Sequence, residues 1–172
     1  MTDAPTNAAS MHRKPSNSLP PAIHATAVAV KGAGVVITGP PGSGKSDLAL
    51  RLIDRGAVLI GDDYIVIRQI ADQIMLEQMP NIAGRLEMRG LGIIKLDSIA
   101  SAPAILHVSL GAKAERLPSG LPQIPVGGFC LPTLMIDAFH HSAPIKIERA
   151  LTLLLDPGGS LVTVSSAEKN HE

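Results

Sequence analysis

The fold is decided by the stretch Gly39-Pro40-Pro41-Gly42-Ser43-Gly44-Lys45-Ser46, which matches the Gly-x-x-x-x-Gly-Lys-Ser/Thr pattern of a phosphate-binding loop. The residues before it, Val35 to Thr38, are mostly β-branched and apolar and predict a buried strand. The residues after it, Asp47 to Arg55, predict a helix that ends at Gly56. A strand, a glycine loop and a helix in this order are the context in which the motif binds phosphate.

The residue types of the loop explain its expected chemistry. Glycines leave backbone N–H groups free to surround a polyphosphate, and the helix N-terminus adds the positive end of its dipole. Lys45 would reach the β- and γ-phosphates, and the Ser46 hydroxyl would ligate Mg²⁺. We therefore expect ATP and Mg²⁺ here rather than a glycine-rich turn that only connects two elements.

Paired acids follow the next predicted strand. Ala57 to Ile60 are apolar and lead through Gly61 to Asp62 and Asp63, at the kind of strand end where ligands bind in open α/β sheets. One carboxylate could hold Mg²⁺ and the other could accept a proton from an incoming hydroxyl. The alternative is a turn in which the acids cap backbone N–H groups.

Composition limits the classes of protein to consider. A chain of 172 residues with 45% hydrophobic content predicts one domain, and with only 2% aromatic residues its core must be built from aliphatic side chains. A formal net charge of zero argues against a nucleic-acid surface. The single cysteine, Cys130, excludes an internal disulfide framework. No apolar run approaches the roughly 20 residues needed to span a bilayer, and no secretory h-region is present, so we expect a cytoplasmic protein without a membrane partner.

The remaining pattern divides the chain into three parts. Residues 1–21 predict a disordered tail, residues 22–156 a single phosphate-loop domain, and residues 157–172 a flexible tail. Ile23 to Val30 predicts one strand that forms a hairpin with Gly34 to Thr38, which would bring His24 near the nucleotide.

Further along the chain, Tyr64 to Ile70 and Ile74 to Met79 predict a second hairpin. Ile82 to Ile94 is interpreted as a charged loop and Gly111 to Gln123 as a mobile surface loop. Ser142 would cap a final helix that ends near Leu155.

Several of these stretches together carry a resemblance to a known family. They are the His24-Ala25-Thr26 triplet, the phosphate loop, Arg55-Gly56, Asp62-Asp63, and Glu87-Met88-Arg89-Gly90-Leu91-Gly92-Ile93-Ile94. From about Ile23 to Leu155 the chain resembles the catalytic domain of bacterial HPr kinase/phosphorylase, which phosphorylates a serine of the phosphocarrier protein HPr. The resemblance implies an α/β phosphate-loop kinase fold with a mixed β-sheet flanked by helices, similar to HPr kinase and PEP carboxykinase.

The resemblance also implies roles for individual residues. Asp62 would be the catalytic base, His24 would lie beside it, and Lys45 would bind phosphate. Ser46 and Glu87 would ligate Mg²⁺, with Asp63 close by. Both reaction directions would share a surface made of Arg89, Gly90, Leu91 and Gly92, and Arg116 would serve the mobile catalytic loop. The implied partners are HPr or a paralogue and further copies of the chain in a homo-oligomer.

One stretch departs from the family pattern. After the Ile-Pro-Val strand the family has Arg-Pro-Gly-Arg-Asn, a segment tied to dephosphorylation, whereas this chain has Gly127-Gly128-Phe129-Cys130-Leu131. Both arginines are missing, so we expect a kinase with weak or absent phosphorylase activity. The alternatives are a small-molecule kinase and a nucleotide-binding regulatory module that does not catalyse.

Overall fold

The structure is a computed structural model that describes residues 22–113, 119–156 and 158. The two predicted tails lie outside the described residues except for Gly158, and so does Arg116, which falls in the gap at 114–118.

Within these bounds the chain forms eleven strands and two α-helices. They are β1 (Ala22–His24), β2 (Thr26–Val30), β3 (Ala33–Thr38), α1 (Lys45–Asp54), β4 (Val58–Gly61), β5 (Tyr64–Ile70), β6 (Gln73–Gln78), β7 (Arg85–Met88), β8 (Gly92–Lys95), β9 (Ser101–Leu110), β10 (Gln123–Val126), β11 (Phe129–Ile136) and α2 (Ala143–Leu155). A 3₁₀ turn at Pro80–Ile82 lies between β6 and β7.

Nine of the strands form one mixed sheet, as the predicted fold class requires. Its main path is β1-β5-β6-β9-β3-β2-β4; β11 pairs with the last part of β9, and β10 pairs with β11. The β3–β9 and β9–β11 ladders are parallel, and the other ladders of the sheet are antiparallel. β7 and β8 form a separate antiparallel hairpin.

The direction of the strands determines where a site can form. β4 runs the same way as β3 because both are antiparallel to β2. The carboxyl ends of β3, β4, β9 and β11 therefore meet at one edge of the sheet, where ligands bind in open α/β folds. The phosphate loop leaves β3 at this edge.

Apolar cores lie on both faces of the central strands. On one face α1 and α2 pack through buried residues that include Leu48, Leu52, Ile147 and Leu151. Among the described residues, the core of the other face is made by strands and their connections and includes Ile60, Ile65 and Leu76. Each fully buried aliphatic side chain contributes about 1.5–3 kcal/mol to the free energy of unfolding, so strands and helices stabilise one another. Among the described residues, none of the helices is long and apolar enough to cross a membrane.

Helix α1 confirms the local prediction. Leu48, Ala49 and Leu52 form its buried face. Gly56 has a φ of +96°, in the left-handed region that favours glycine, and its N–H donates to the carbonyl oxygen of Ile53 at 2.9 Å. The glycine therefore ends the helix as predicted.

Three local predictions were wrong. The strand predicted from Ile23 to Val30 is broken at Ala25, because His24 pairs with Tyr64 on β5 whereas Thr26 pairs with Ile37 on β3. The predicted loop from Ile82 to Ile94 contains the paired strands β7 and β8. The Ser142 side chain makes no capping hydrogen bond to α2, although its carbonyl oxygen accepts the Lys146 N–H at 2.9 Å.

Candidate active site

The phosphate loop connects β3 to α1 at the carboxyl edge of the sheet. Gly42 and Gly44 have φ values of +78° and +91°, which other residues adopt only with strain. Gly44 is also the residue that caps α1, and no side chain bonds to the first N–H groups of the helix. Those N–H groups have no acceptor within the helix, so they are available to an anion.

Lys45 lies against the loop that it follows. The residue is 8% exposed, and its Nζ donates to the carbonyl oxygens of Gly39 at 3.1 Å and Pro40 at 3.3 Å. The Lys45 cation and the N–H groups at the start of α1 follow the same loop, and together they create a positive site that suits a polyphosphate.

Asp62 connects the acidic strand end to the phosphate loop. The residue is 4% exposed, and both of its carboxylate oxygens accept the Ser46 hydroxyl at 3.0 Å. Its Oδ1 also accepts the Thr26 hydroxyl at 2.6 Å. Asp62 is thus fixed from two sides, next to the hydroxyl that the sequence predicted to ligate Mg²⁺.

Asp63 occupies a different position from Asp62. It is exposed, its φ of +68° is uncommon for a residue other than glycine, and its carbonyl oxygen accepts the Ala25 N–H at 3.1 Å. The chain reverses after Asp62, so the two acids have different surroundings: Asp62 is buried and Asp63 is exposed. His24 lies nearby on β1, with its ring edge-on to Tyr64 at a centroid distance of 5.9 Å.

An open cleft of about 580 Å³ brings most of the predicted residues together. The predicted residues that line it are His24, Pro41, Gly42, Gly44, Lys45, Ser46, Asp63, Glu87, Arg89 and Leu91. Asp62 does not line the cleft, because it lies buried beside Ser46. Glu87 and Arg89 reach the cleft from the β7–β8 hairpin, and a Cβ added at Gly42 would lie 3.9 Å from Nη2 of Arg89.

Gly90 and Gly92 shape this hairpin rather than lining the cleft. Their φ values are +88° and +96°, and the Leu91 N–H donates to the carbonyl oxygen of Met88 at 3.0 Å. The two glycines allow the tight turn that carries Arg89 and Leu91 toward the loop.

The donors in the cleft fit Mg²⁺. Ser46, Asp63 and Glu87 offer hard oxygen ligands, and Mg²⁺ in kinases is held by one or two carboxylates together with substrate phosphates. The described residues contain no cluster of three His, Cys, Asp or Glu side chains that could hold a metal by itself. A site completed by phosphate is consistent with that observation.

Four residues with a place in the cleft were missed by sequence reasoning: Asp47, Leu50, Met88 and Phe139. The first two follow the loop on α1, and Met88 belongs to the hairpin that was interpreted as a loop. A signal for Phe139 existed, because the chain contains only two phenylalanines and this one comes three residues after an apolar stretch that ends at Ile136. Thr26 was quoted in a motif but received no role.

A buried polar network lies under the phosphate loop. His107 on β9 is 4% exposed; its Nε2 is 2.7 Å from the hydroxyl of Thr38, and its Nδ1 is 3.0 Å from that of Thr133. Because the Thr133 hydroxyl donates to the carbonyl oxygen of Leu131, Nδ1 must carry a ring proton, and in the neutral ring Nε2 then accepts from Thr38. Burial lowers the pKa of His107, which favours this neutral form. Thr38, the last residue before the loop, is fixed by the network.

The stretch that departs from the family pattern forms a tight turn between β10 and β11. Gly127 and Gly128 have φ values of +57° and +87°, and Val126 pairs with Phe129. Two such residues in a two-residue loop are typical of a type I′ hairpin. None of residues 127–131 lines the cleft.

Fold and site together define the class of protein. A phosphate loop at the carboxyl edge of a mixed sheet, with acids, an arginine and a buried lysine around one cleft, is characteristic of a phosphate-loop kinase-like fold. Comparison with known proteins identifies the family more closely. The model of the HPr Serine kinase C-terminal domain matches residues 18–108, which is more than half of the chain, and the chain belongs to this family.

Relatives and a solved structure agree with this assignment. The chain is 39% identical over 147 residues to an HPr kinase/phosphorylase of an Exiguobacterium species, covering 83% of this chain and 45% of the relative. It is 31% identical over 146 residues to the HPr kinase/phosphorylase of Caldicellulosiruptor bescii, covering 77% and 45%. The chain thus spans less than half of the length of these curated relatives. The structure of the Hpr(Ser) kinase/phosphatase from Coxiella burnetii matches with a TM-score of 0.65 and 25% identity, covering 77% of this chain and 88% of that one.

Proposed function

We propose that this chain is an ATP- and Mg²⁺-dependent protein kinase that phosphorylates a seryl residue of the phosphocarrier protein HPr or of a paralogue. The observation that carries the proposal is the contact of buried Asp62 with Ser46 at 3.0 Å, beside a cleft that also contains Lys45, Glu87 and Arg89. Family membership and the names of the relatives support the choice of reaction and of substrate.

The chain's own residues would perform most of the reaction by positioning and charge. Lys45 and the N–H groups of the loop would hold the phosphates, and Arg89 would add a second positive charge from the hairpin. The seryl oxygen would attack the γ-phosphorus while the bond to the ADP oxygen breaks, and the seryl proton would pass to Asp62. Two hydroxyl donors keep Asp62 in one orientation, and the Ser46 hydroxyl would have to turn away from the carboxylate before the seryl proton could reach it.

Ser46 and Glu87 would hold Mg²⁺, with Asp63 close by. The metal, when bound, would neutralise charge on the phosphates. His24 lines the same cleft and would interact with the transferred group or with the acids. The missing arginines of the 127–131 stretch support a reaction that runs mainly in the kinase direction. We further propose that the protein acts as a homo-oligomer, as the resemblance implies.

The test is transfer of label from γ-³²P-ATP with Mg²⁺ to purified HPr. We expect label on HPr that is lost with a serine-to-alanine HPr and with the Asp62→Asn enzyme, while Asp72→Asn, an exposed acid outside the cleft, keeps full activity. An enzyme that binds ATP but never labels HPr would refute the proposal. In that case a regulatory module or another kinase substrate would have to be considered.

A further inference from the structure

Phe139 is an exposed aromatic side chain placed directly against the phosphate loop. It is 65% exposed, in a chain that has two phenylalanines, one tyrosine and no tryptophan. Its ring carbons Cε1 and Cζ lie 3.3 Å from the position that a Cβ on Gly44 would occupy. Phe139 lines the same cleft as the phosphate loop, and aromatic side chains are typical of the walls of small-molecule sites.

The backbone around this ring is held in place by several hydrogen bonds. The Phe139 N–H donates to Oδ1 of Asp137 at 2.9 Å. Arg51 of α1 donates to the carbonyl oxygens of Ala138 and, at 3.4 Å, His140. Arg51 is itself paired with Asp47 at 2.8 Å. The turn that carries Phe139 is therefore tied to the helix that begins at the phosphate loop.

The sheet places Phe139 on the side of the phosphate loop opposite to Asp62 and Asp63. β3, which leads into the loop, has β2 and β4 on one side and β9 and β11 on the other. Asp62 follows β4, and Phe139 follows β11 at the same edge of the sheet. The γ-phosphate end of a bound nucleotide lies toward the metal-binding hydroxyl and the acids. The nucleoside end must then leave the loop on the other side.

Two further residues line the cleft near the start of α1. Asp47 and Leu50 lie on the first turns of α1 and line the cleft together with Phe139. Leu50 offers an apolar surface, and the carboxylate of Asp47 is neutralised by Arg51. An aromatic ring and an aliphatic side chain in the wall of one cleft suit a flat, weakly polar group.

We propose that Phe139 is the stacking platform for the nucleobase of ATP, with Leu50 as a second apolar residue of the same cleft. This inference rests on the proposed function and adds a binding residue for the base. Stacking uses the π-face of the base and needs no hydrogen-bond readout. The phosphates and the base are thus bound by separate elements, the loop and the Asp137–Phe139 turn.

The first test distinguishes binding of the nucleobase from binding of the phosphates. Binding of ATP and of inorganic tripolyphosphate is measured by calorimetry for the wild type, Phe139→Ala and Phe139→Tyr. We expect Phe139→Ala to weaken ATP binding about tenfold and to leave tripolyphosphate binding unchanged, with Phe139→Tyr close to wild type. An equal loss for both ligands would mean that Phe139 only supports the loop, and would overturn the inference. Unchanged ATP binding would overturn it as well.

The second test uses the absence of tryptophan from the chain. Phe139→Trp provides a single indole in the proposed base site, and Ile70→Trp provides one at an exposed position outside the cleft. We expect ATP to quench the fluorescence of Phe139→Trp. Tripolyphosphate should not change the fluorescence of Phe139→Trp to a comparable extent, and ATP should not change that of Ile70→Trp. Quenching of Phe139→Trp by tripolyphosphate to the same extent as by ATP would refute stacking.

Failure of the inference can be told apart from failure of the proposed function. If the wild type binds ATP and labels HPr while Phe139→Ala does both equally well, only the inference is wrong. If Phe139→Ala raises the KM for HPr at unchanged ATP affinity, the ring contacts the protein substrate and the inference is again wrong. If the wild type binds neither ATP nor tripolyphosphate, both proposals are wrong.

Discussion

His107 is the residue whose protonation we expect to affect stability most clearly at mildly acidic pH. Burial lowers its pKa from the ordinary value of 6.5, so near and below that pH this side chain is protonated more in the unfolded chain than in the folded chain. The free energy of unfolding must then fall as the pH falls. Between pH 7.5 and 5.5 we therefore expect the wild type to lose stability through this residue, as measured by urea unfolding at the two pH values.

The control for this prediction is His107→Gln. The variant should be less stable at pH 7.5 by about 1–3 kcal/mol because the hydroxyls of Thr38 and Thr133 lose a matched partner, but its stability should depend less on pH. Both pH values lie above the range in which protonation of Glu148 changes the free energy of unfolding, since the Arg55 hydrogen bond lowers the pKa of that carboxyl from 4.5. Equal pH dependence of variant and wild type would contradict the assigned role of His107.

Asp62 and Asp63 are adjacent in sequence but differ in burial, so their amide variants should behave differently. We expect Asp62→Asn to lower kcat at least about 100-fold with ATP affinity nearly unchanged, because the amide keeps the shape but cannot accept the proton. Asp63→Asn should mainly weaken Mg²⁺-dependent ATP binding. Steady-state kinetics over a range of Mg²⁺ concentrations separates the two effects. The reverse pattern would exchange the roles of the two acids.

At the scale of elements, the β10–β11 turn offers a matched pair of glycines. Both have positive φ, but a Cβ at Gly127 would lie 3.0 Å from Cδ1 of Ile67, whereas one at Gly128 would meet nothing within 4 Å. We expect Gly128→Ala to lower the free energy of unfolding by about 1 kcal/mol through backbone strain alone. Gly127→Ala should cost about 1–3 kcal/mol more, because Ile67 must move.

Urea unfolding at neutral pH measures both variants of the turn. Kinase activity should survive in each, since residues 127–131 do not line the cleft. Equal losses of stability would show that the contact with Ile67 contributes nothing to the free energy of unfolding. A loss of kinase activity at full stability would show that the turn affects the active site.

The sequence predicted those elements whose signals are local. Helix α1 has a glycine loop before it, a buried face at regular spacing and a glycine at its end, so its bounds could be predicted. The β7–β8 hairpin was missed because its strands have only four residues each, alternate weakly, and surround glycines that suggested a loop. The strand broken at Ala25 could not be found either, because only pairing with β5 separates His24 from Thr26.

At the scale of the whole molecule, the site could be predicted in its composition but not in its arrangement. The motif residues of the cleft, from His24 to Arg89, were identified from sequence and family resemblance. Their placement depends on pairings between distant segments, above all the parallel ladders of β9 with β3 and β11. Those ladders bring the turn at Phe139 to the phosphate loop, about 100 residues away along the chain, and no local pattern records such a contact.

The final prediction concerns the direction of the reaction. Phosphorolysis requires inorganic phosphate to approach a phosphoseryl group, so two anions must be neutralised in one cleft. Among the described residues the lysine and arginine that line the cleft are Lys45 and Arg89, and the 127–131 turn adds none. We therefore expect pyrophosphate formation from seryl-phosphorylated HPr and phosphate to be at least about 100-fold slower than kinase turnover in the same preparation. Phosphorolysis at a rate close to kinase turnover would mean that cations outside the described residues complete the site.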